Sequence, residues 1–444
     1  MDSVSVALVP VGTTVGDNVN QQSLPKDAIN DSLSVEGSIP YPAGCDPIDL
    51  SLTKEDLVRR LRKLAKSLQE LKQDTEEKYT ELARFLAKPV FFNHSSKDVR
   101  LLIACCMADL FRMHAPDDPF ENHELLRDIF LFLTSQLAGL AHVESPLFNR
   151  HFYLLENLAW VKSFNICLDL PTEMNQTVFC QLFRLIFRLV SDQQQPRIRM
   201  FMMDMLCPLI LESDFVSTEL MSILLTQLLP SVKPLPNQRV AYQLAKVIVE
   251  KTGHALQPFV VKAAQFYLRS EDALSDLGAD STDVLVAEEV KTFFTRFYDI
   301  VYELTQIFPD ILVPVLPEFA ARLQHPWNNK IRLETTQLLC RLFNWKPEVA
   351  STDESASVST TSMPSLISRL PTLWAALLKR FEDSHSPIRF AVIQMTSHVF
   401  LNYPQHVDDV VGPLRECGRD VEESIRFHVV QVIRHGHNGH FFMV

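Results

Sequence analysis

The sequence predicts an all-α protein, a solenoid of stacked helical hairpins, and three observations carry that expectation. An aliphatic residue followed by arginine recurs at the head of five amphipathic segments: Val99-Arg100, Ile198-Arg199, Ile331-Arg332, Ile388-Arg389 and Ile425-Arg426. The steps between the aliphatic positions are 99, 133, 57 and 37. They become two, three, one and one units if a unit is about 40–47 residues, the period of HEAT and armadillo repeats. The 444 residues also hold only 11 glycines against 26 prolines, which leaves little scope for left-handed turns and suits the many helix starts of a repeat stack.

Along the chain, residues 1–50 mix Val, Ser, Asn, Asp and Gly without a sustained period and are expected to be a disordered acidic tail. The solenoid is expected over 51–434. Thr53 with Asp56 makes an approximate capping box, and Leu57, Leu61, Leu64, Leu68 and Leu71 then line one helical stripe. A second helix stops at Lys88-Pro89, and the first signature helix runs from Val99 to the break at Ala115-Pro116. Helical periods follow over 124–140, 149–167, 178–191, 197–211, 218–229, 239–251, 258–269, 284–307, 312–323, 330–343, 366–381 and 387–401, with two more beyond. Residues 351–365 are polar and without apolar period, a loop insertion that accounts for the step of 57. After Ile433 the apolar period collapses, so 435–444 is expected to be irregular, the end of a truncated product or alternative transcript.

The recurring arginine has a physical rationale. A helix packed in such a stack begins with an apolar residue facing its neighbour, and a cation beside it can reach carboxylates or free helix carbonyls next door. The guanidinium fork makes several such bonds while its stem lies on apolar surface. Arg100, Arg199, Arg332, Arg389 and Arg426 are therefore expected to be structural ties between repeats; a shared ligand-binding row is the alternative.

Formal charge is −12, and in residues 1–50 seven acids against Lys26 leave −6, so the chain as a whole is no nucleic-acid sleeve. Two local basic clusters stand out: Arg59, Arg60, Arg62, Lys63 and Lys66, and then Arg184, Arg188, Arg197 and Arg199. Each reads as a solvated helix face or as a contact for an acidic partner or phosphate. The eight cysteines show no metal or disulfide spacing, and the chain start resembles no signal peptide, which together suggest a reducing compartment, cytoplasm or nucleus. The longest uncharged stretch, 390–407 with Arg389 before it, carries too many polar residues to span a membrane.

No Walker loop, GxSxG, HExxH or GxGxxG is present, so no enzyme activity and no cofactor are expected. His435, His437 and His440 have conceivable ligand spacing but lack an acid or thiol partner, and metal binding is not expected there. Asn157 and Asn165 read as helix-to-helix hydrogen-bond partners. The segment Ala115, Pro116, Asp117, Asp118, Pro119, Phe120 sets two carboxylates and an aromatic ring on a proline-stiffened backbone. It is either a docking loop for a short basic-aromatic peptide or an ordinary turn between helices.

Two stretches carry a family resemblance. Residues 97–112, KDVRLLIACCMADLFR, running into Ala115-Pro116-Asp117-Asp118-Pro119, and residues 148–163, FNRHFYLLENLAWVKS, closely resemble the amino-terminal part of the sister chromatid cohesion regulators called precocious dissociation of sisters (Pds). The resemblance looks continuous over 41–432. It implies a nuclear, non-enzymatic HEAT-repeat scaffold on chromatin that docks on the kleisin subunit of cohesin. It further implies work with the Wings-apart-like protein in releasing cohesin, and with the cohesin acetyltransferase and sororin-like factors in protecting cohesion. In that family the loop matching 115–120 belongs to a surface used by partner peptides, although Asp118 here replaces a small residue. Family members continue well past position 444, including surface associated with kleisin docking. Another HEAT adaptor, such as a transport receptor or phosphatase scaffold, shares the predicted fold, and direct DNA binding through the basic clusters is a third possibility.

Overall fold

The computed structural model describes residues 39–49, 51–72, 79–230, 237–270, 288–325, 327–344 and 366–437. The expected tail up to residue 38, the polar insertion 351–365 and residues 438–444 lie outside them. The described residues from Tyr41 onward make one compact unit. Among the described residues every regular element is helical, in agreement with an all-α HEAT-repeat solenoid.

The start of the unit is a correction to the expected tail boundary. Ile48 is buried, its N–H donates to the Tyr41 hydroxyl at 3.1 Å, and the Cys45 thiol donates to Ser67 at 3.3 Å. Tyr41 and Ile48 offer apolar surface that composition averaged over 1–50 conceals. Helix α1, Lys54–Glu70, opens where Thr53 Oγ1 accepts from the Asp56 N–H, and it buries the stripe Leu57, Leu61, Leu64 and Leu68. Short helices α2 (Thr80–Leu86) and α3 (Pro89–Phe92) lead to α4 (Lys97–His114), which is buried on nearly all sides. There follow α5 (His123–Leu137), α6 (Phe148–Trp160), α7 (Thr172–Leu189), α8 (Pro196–Leu211) and α9 (Thr218–Leu225).

The next element departs from the sequence expectation of two helices. α10, Gln238–Arg269, is one helix of 32 residues that passes through Gly253 and Pro258. It packs on α8 and on the 3₁₀ segment Pro309–Val315, and this tertiary burial outweighs the backbone bond lost at Pro258. Gly253 is needed for the packing: a Cβ there would lie 2.9 Å from the Phe308 ring.

Conversely, the single helix expected over 284–307 is broken at Arg296 into α11 (Glu288–Thr295) and α12 (Phe297–Ile307). After α13 (Leu316–Leu323) and α14 (Asn329–Asn344), the helix expected over 366–381 divides into α15 (Leu366–Arg369), α16 (Pro371–Leu378) and a 3₁₀ turn, because Pro371 has no N–H to continue α15. α17 (Ser386–Asn402), α18 (Val407–Cys417) and α19 (Glu423–His437) complete the order, and α19 runs three residues past the end expected from the loss of apolar period.

The helices form two rows. α1, α4, α6, α8 and α10 pack in succession, as do α12, α14, α17 and α19; opposite them run α5, α7, α9 and α11, then α13, α16 and α18. Every aliphatic-Arg signature lies at the start of a helix of the first row: α4, α8, α14, α17 and α19. Between the rows lie rings such as Phe111, Phe130 and Phe164, with centroids 5.0 and 4.9 Å apart in sequence.

Candidate docking surface and the arginine ties

The loop 115–120 hangs from the C-terminus of α4, and the end of that helix is held firmly. Arg112 donates to the Leu68 and Leu71 carbonyls of α1 at 2.9 and 3.1 Å, so its fork closes the C-terminus of the neighbouring helix. His114 Nδ1 sits 2.8 Å from the Leu110 carbonyl and its Nε2 sits 3.3 Å from Thr80 Oγ1. From this anchor the loop leaves Pro116 and Asp117 exposed, Ala115 and Asp118 half-buried, and Pro119 and Phe120 buried. The Ala115–Pro116 peptide is cis.

Phe120 is turned into the core, whereas the docking-loop expectation places its ring beside the two carboxylates. Its ring packs on Phe111 at 5.9 Å and is only 7% exposed, because the ring gains more from the core between α4 and α5 than from water. Asp118 Oδ1 accepts from the Phe120 N–H at 2.7 Å, which folds the loop back on itself. Burial pushes the Asp118 carboxyl above the usual aspartate range; the Phe120 N–H works against this, and the nearby charges of Asp169 and Asp117 add to it. The loop therefore offers to solvent one proline, one free carboxylate and an acidic surround.

One turn inside, a polar cluster joins α4 to α6. The Asp109 carboxylate, fully buried, accepts from the Tyr153 hydroxyl at 2.6 Å and the Asn157 amide at 2.8 Å, with Arg112 Nε at 3.4 Å. Burial raises the Asp109 pKa although Tyr153, Arg112 and Asn157 pull it down. Asn165 reaches Glu212 at 2.6 Å. Both asparagines thus bond across helices.

The five signature arginines do not act alike. Arg389 donates through Nη1 to the Asp383 and Ser384 carbonyls of its own approach turn at 2.8 and 3.3 Å, and through Nε and Nη2 to both oxygens of Asp420 in the next turn at 2.7 and 2.9 Å. Arg332 grips Asp383 in the same bidentate manner at 3.1 and 3.0 Å, and donates to the His325 carbonyl at 2.8 Å. Arg426 closes the series on the Asp420 and Val421 carbonyls at 2.7 and 3.1 Å. Hence Asp383 and Asp420 each take one signature arginine on the carboxylate and the next on the carbonyl, and the Asp383 carboxylate also accepts from Arg380 at 2.9 Å.

Among the described residues, Arg100 binds the His94 and Ser95 carbonyls of its own turn and no acid. Arg199 makes no hydrogen bond or ion pair among the described residues. There, buried Gln194 bridges the units instead, donating to the Leu140 and Leu189 carbonyls at 3.1 and 3.0 Å. Burial opposes the charge on Asp383, yet Arg332, the His385 N–H and Arg380 hold its pKa below the ordinary aspartate value.

Two further ties escape the aliphatic-Arg pattern. Arg322 on α13 closes the C-terminus of α10, donating to the Tyr267, Leu268 and Ser270 carbonyls at 2.7, 2.8 and 2.9 Å. Arg184 joins α7 to Glu219 of α9 and Glu289 of α11 at 2.6 and 2.9 Å. The basic cluster around Arg184 is thereby partly neutralised within the fold, and Arg197 adds to this by pairing with Glu156 at 2.5 Å. In the α1 cluster Arg62, Lys63 and Lys66 stay exposed.

All eight cysteines are free thiols, seven of them buried. Among the described residues no group of His, Cys, Asp or Glu is arranged to hold a metal ion, and no helix is long and apolar enough to cross a membrane. The side chains of His435, His437 and His440 lie outside the described residues.

With this geometry in view, comparison with known proteins is specific. The family model described as sister chromatid cohesion protein PDS5 matches residues 55–441. The chain belongs to the PDS5 family. Among curated relatives, PDS5 homolog B-A of Xenopus laevis is 36% identical over 89% of this chain and 25% of the relative, and PDS5 homolog A of Homo sapiens is 35% identical over 93% and 28%. The chain thus spans about a quarter of the length of these PDS5 proteins. A solved structure of the Pds5-Scc1 complex superposes with a TM-score of 0.68 at 18% identity, covering 90% of this chain and 58% of that one, a likeness of fold.

Proposed function

We propose that this PDS5-family chain is a non-enzymatic, nuclear, cohesin-associated scaffold in sister chromatid cohesion. The observation that carries the reading is the family match across almost the whole described solenoid, in a molecule whose polar clusters are spent on joining helices. A rigid stack of this kind presents surface to linear segments of other proteins and transfers no chemical group. The likeness to the Pds5-Scc1 structure supports kleisin as a partner. The loop 115–120, with Pro116 and the Asp117 carboxylate turned to solvent beside Asp118, is the surface we assign to basic peptide segments of the Wings-apart-like, sororin-like and acetyltransferase factors.

Pull-down from nuclear extract with a tagged chain tests this. Cohesin and the Wings-apart-like protein are expected on the resin, and Asp117→Ala is expected to reduce the second about tenfold without reducing the first, the loss of one charge-assisted contact of about 1.4 kcal/mol. Recovery of neither partner, even by a version extended to the length of its PDS5 relatives, would overturn the reading.

A further inference from the structure

We propose that the outer face of α14, between α12 and α19, receives a linear segment of a partner protein in which a run of acidic residues is followed by apolar side chains. The site lies apart in sequence from the loop 115–120 and does not depend on the role given to that loop.

Two adjoining cavities make the case. One, of ≈590 Å³, opens between the end of α10, the α11–α12 junction and α14; the other, of ≈720 Å³, runs over α17 between α14 and α19. They share Gln337 and Arg341 of α14, so the two form one path across the first row. Three exposed or half-buried cations line the first cavity, Arg296, Lys330 and Arg341, with Arg322 buried beneath them on the carbonyls that close α10, against two acids, Asp299 and Glu334, the second held by Lys330 at 3.9 Å. Asp299 is already engaged, by Arg296 at 2.9 Å and Arg341 at 2.9 Å. The first turn of α14 also opens here, which adds its partial positive charge to that of the side chains. Carboxylates of a partner are favoured in this half and cations are not.

Past Arg341 the surface changes character. The second cavity is floored by Cys340, Pro387, Phe390, Ala391, Met395 and Ile425, and Glu422 stands at its far side. Apolar side chains suit this floor, and Glu422 favours a base at the end of the segment. Neighbouring helices sit about 8–10 Å apart, so a path from α12 over α14 and α17 to α19 takes about eight extended residues at about 3.3 Å each. The order acid, apolar, base is thus set by the wall itself. Duplex DNA fits poorly, since Asp299, Glu334 and Glu422 would face its phosphates.

Selection of random peptides about twelve residues long on the full chain, followed by fluorescence polarisation of labelled synthetic copies, tests the assignment. Peptides with an acidic run joined to apolar residues are expected to be enriched, and their binding should weaken with added salt. Arg341→Glu and Ala391→Trp, the second filling the groove floor, are each expected to weaken binding at least tenfold, while Asp117→Ala leaves it unchanged. Circular dichroism identifies a variant that has lost its helices, and the other variant then decides. Enriched peptides that ignore both substitutions sink the site; if these same peptides are lost in Asp117→Ala, they dock on the loop and the proposed function survives without it. Failure to enrich any acidic-apolar peptide equally overturns the inference.

Discussion

Arg199 and Arg332 share the same local signature, yet their surroundings set opposite energetic outcomes. Arg332 and Asp383 are 5% and 2% exposed and bonded in bidentate fashion. Removing one member of such a pair leaves the other charged and buried, at a cost of about 3–5 kcal/mol. Asp383→Ala is therefore expected to destabilise by about that amount in urea unfolding, whereas Arg199→Ala, which breaks no described bond, should stay within about 0.5 kcal/mol. The pH dependence has a definite sign. The Asp383 pKa is lowered in the fold, so its contribution is present above the unfolded value of 3.8 and is lost as the pH falls through the folded value. The difference between the parent chain and Asp383→Ala should accordingly close below pH 3.8; a gap that persists in acid would exclude the ion pair as its source. The arginines were legible because an aliphatic-Arg dipeptide repeats, and their acceptors were not singled out although Asp383 and Asp420 each precede a signature arginine by six positions. The burial of Phe120 was not legible for another reason: the composition of a loop does not say which way a ring turns.

At the scale of the element, helix ends are fixed by close contacts that a periodicity cannot display. The turn after α5 illustrates this. A Cβ at Gly139 would lie 2.1 Å from His151 Nε2, while His151 Nδ1 is held 2.8 Å from the Gln136 carbonyl. Gly139→Ala must expel the imidazole and break that contact, and it should cost about 1–3 kcal/mol in thermal unfolding, much of it regained in the double variant with His151→Ala. Burial lowers the His151 pKa below 6.5, so the stability it contributes is complete above pH 6.5 and is lost as the pH falls through the folded value. With the ring expelled, the Gly139→Ala variant should show a flatter dependence over that window, and a wild-type Tm for Gly139→Ala would refute the steric account. α10 shows the same limit of sequence reading from the other side. Gly253 and Pro258 looked like a boundary, and only the approach of Phe308 reveals that the glycine serves packing within one continuous helix.

For the whole molecule, the repeat period was readable because stacking requires each unit to present the same kind of face to the next. The division into two rows followed only once the contacts were known. Row helices touch chiefly their immediate neighbours, as α14, α17 and α19 do. In such a stack stability is close to a sum of unit terms and neighbour terms, so a local lesion should fade within about one unit. Arg389 offers a clean lesion because it binds the turn that starts its own helix and Asp420 in the turn before α19. Hydrogen exchange of Arg389→Ala is expected to show lost protection over Ser386–Asn402 and Glu423–His437, a smaller loss over Asn329–Asn344, and none over Lys97–His114 or Phe148–Trp160. The first two ranges carry the broken bonds, and the third touches α17 directly. The last two are separated from the lesion by several intervening helices with cores of their own. If protection fell equally along the chain, the molecule would unfold as one cooperative body, and a tie at one turn could not be assigned a local energy. A graded loss would instead mean that the loop after α4 and the face of α14 can each be altered without disturbing the other.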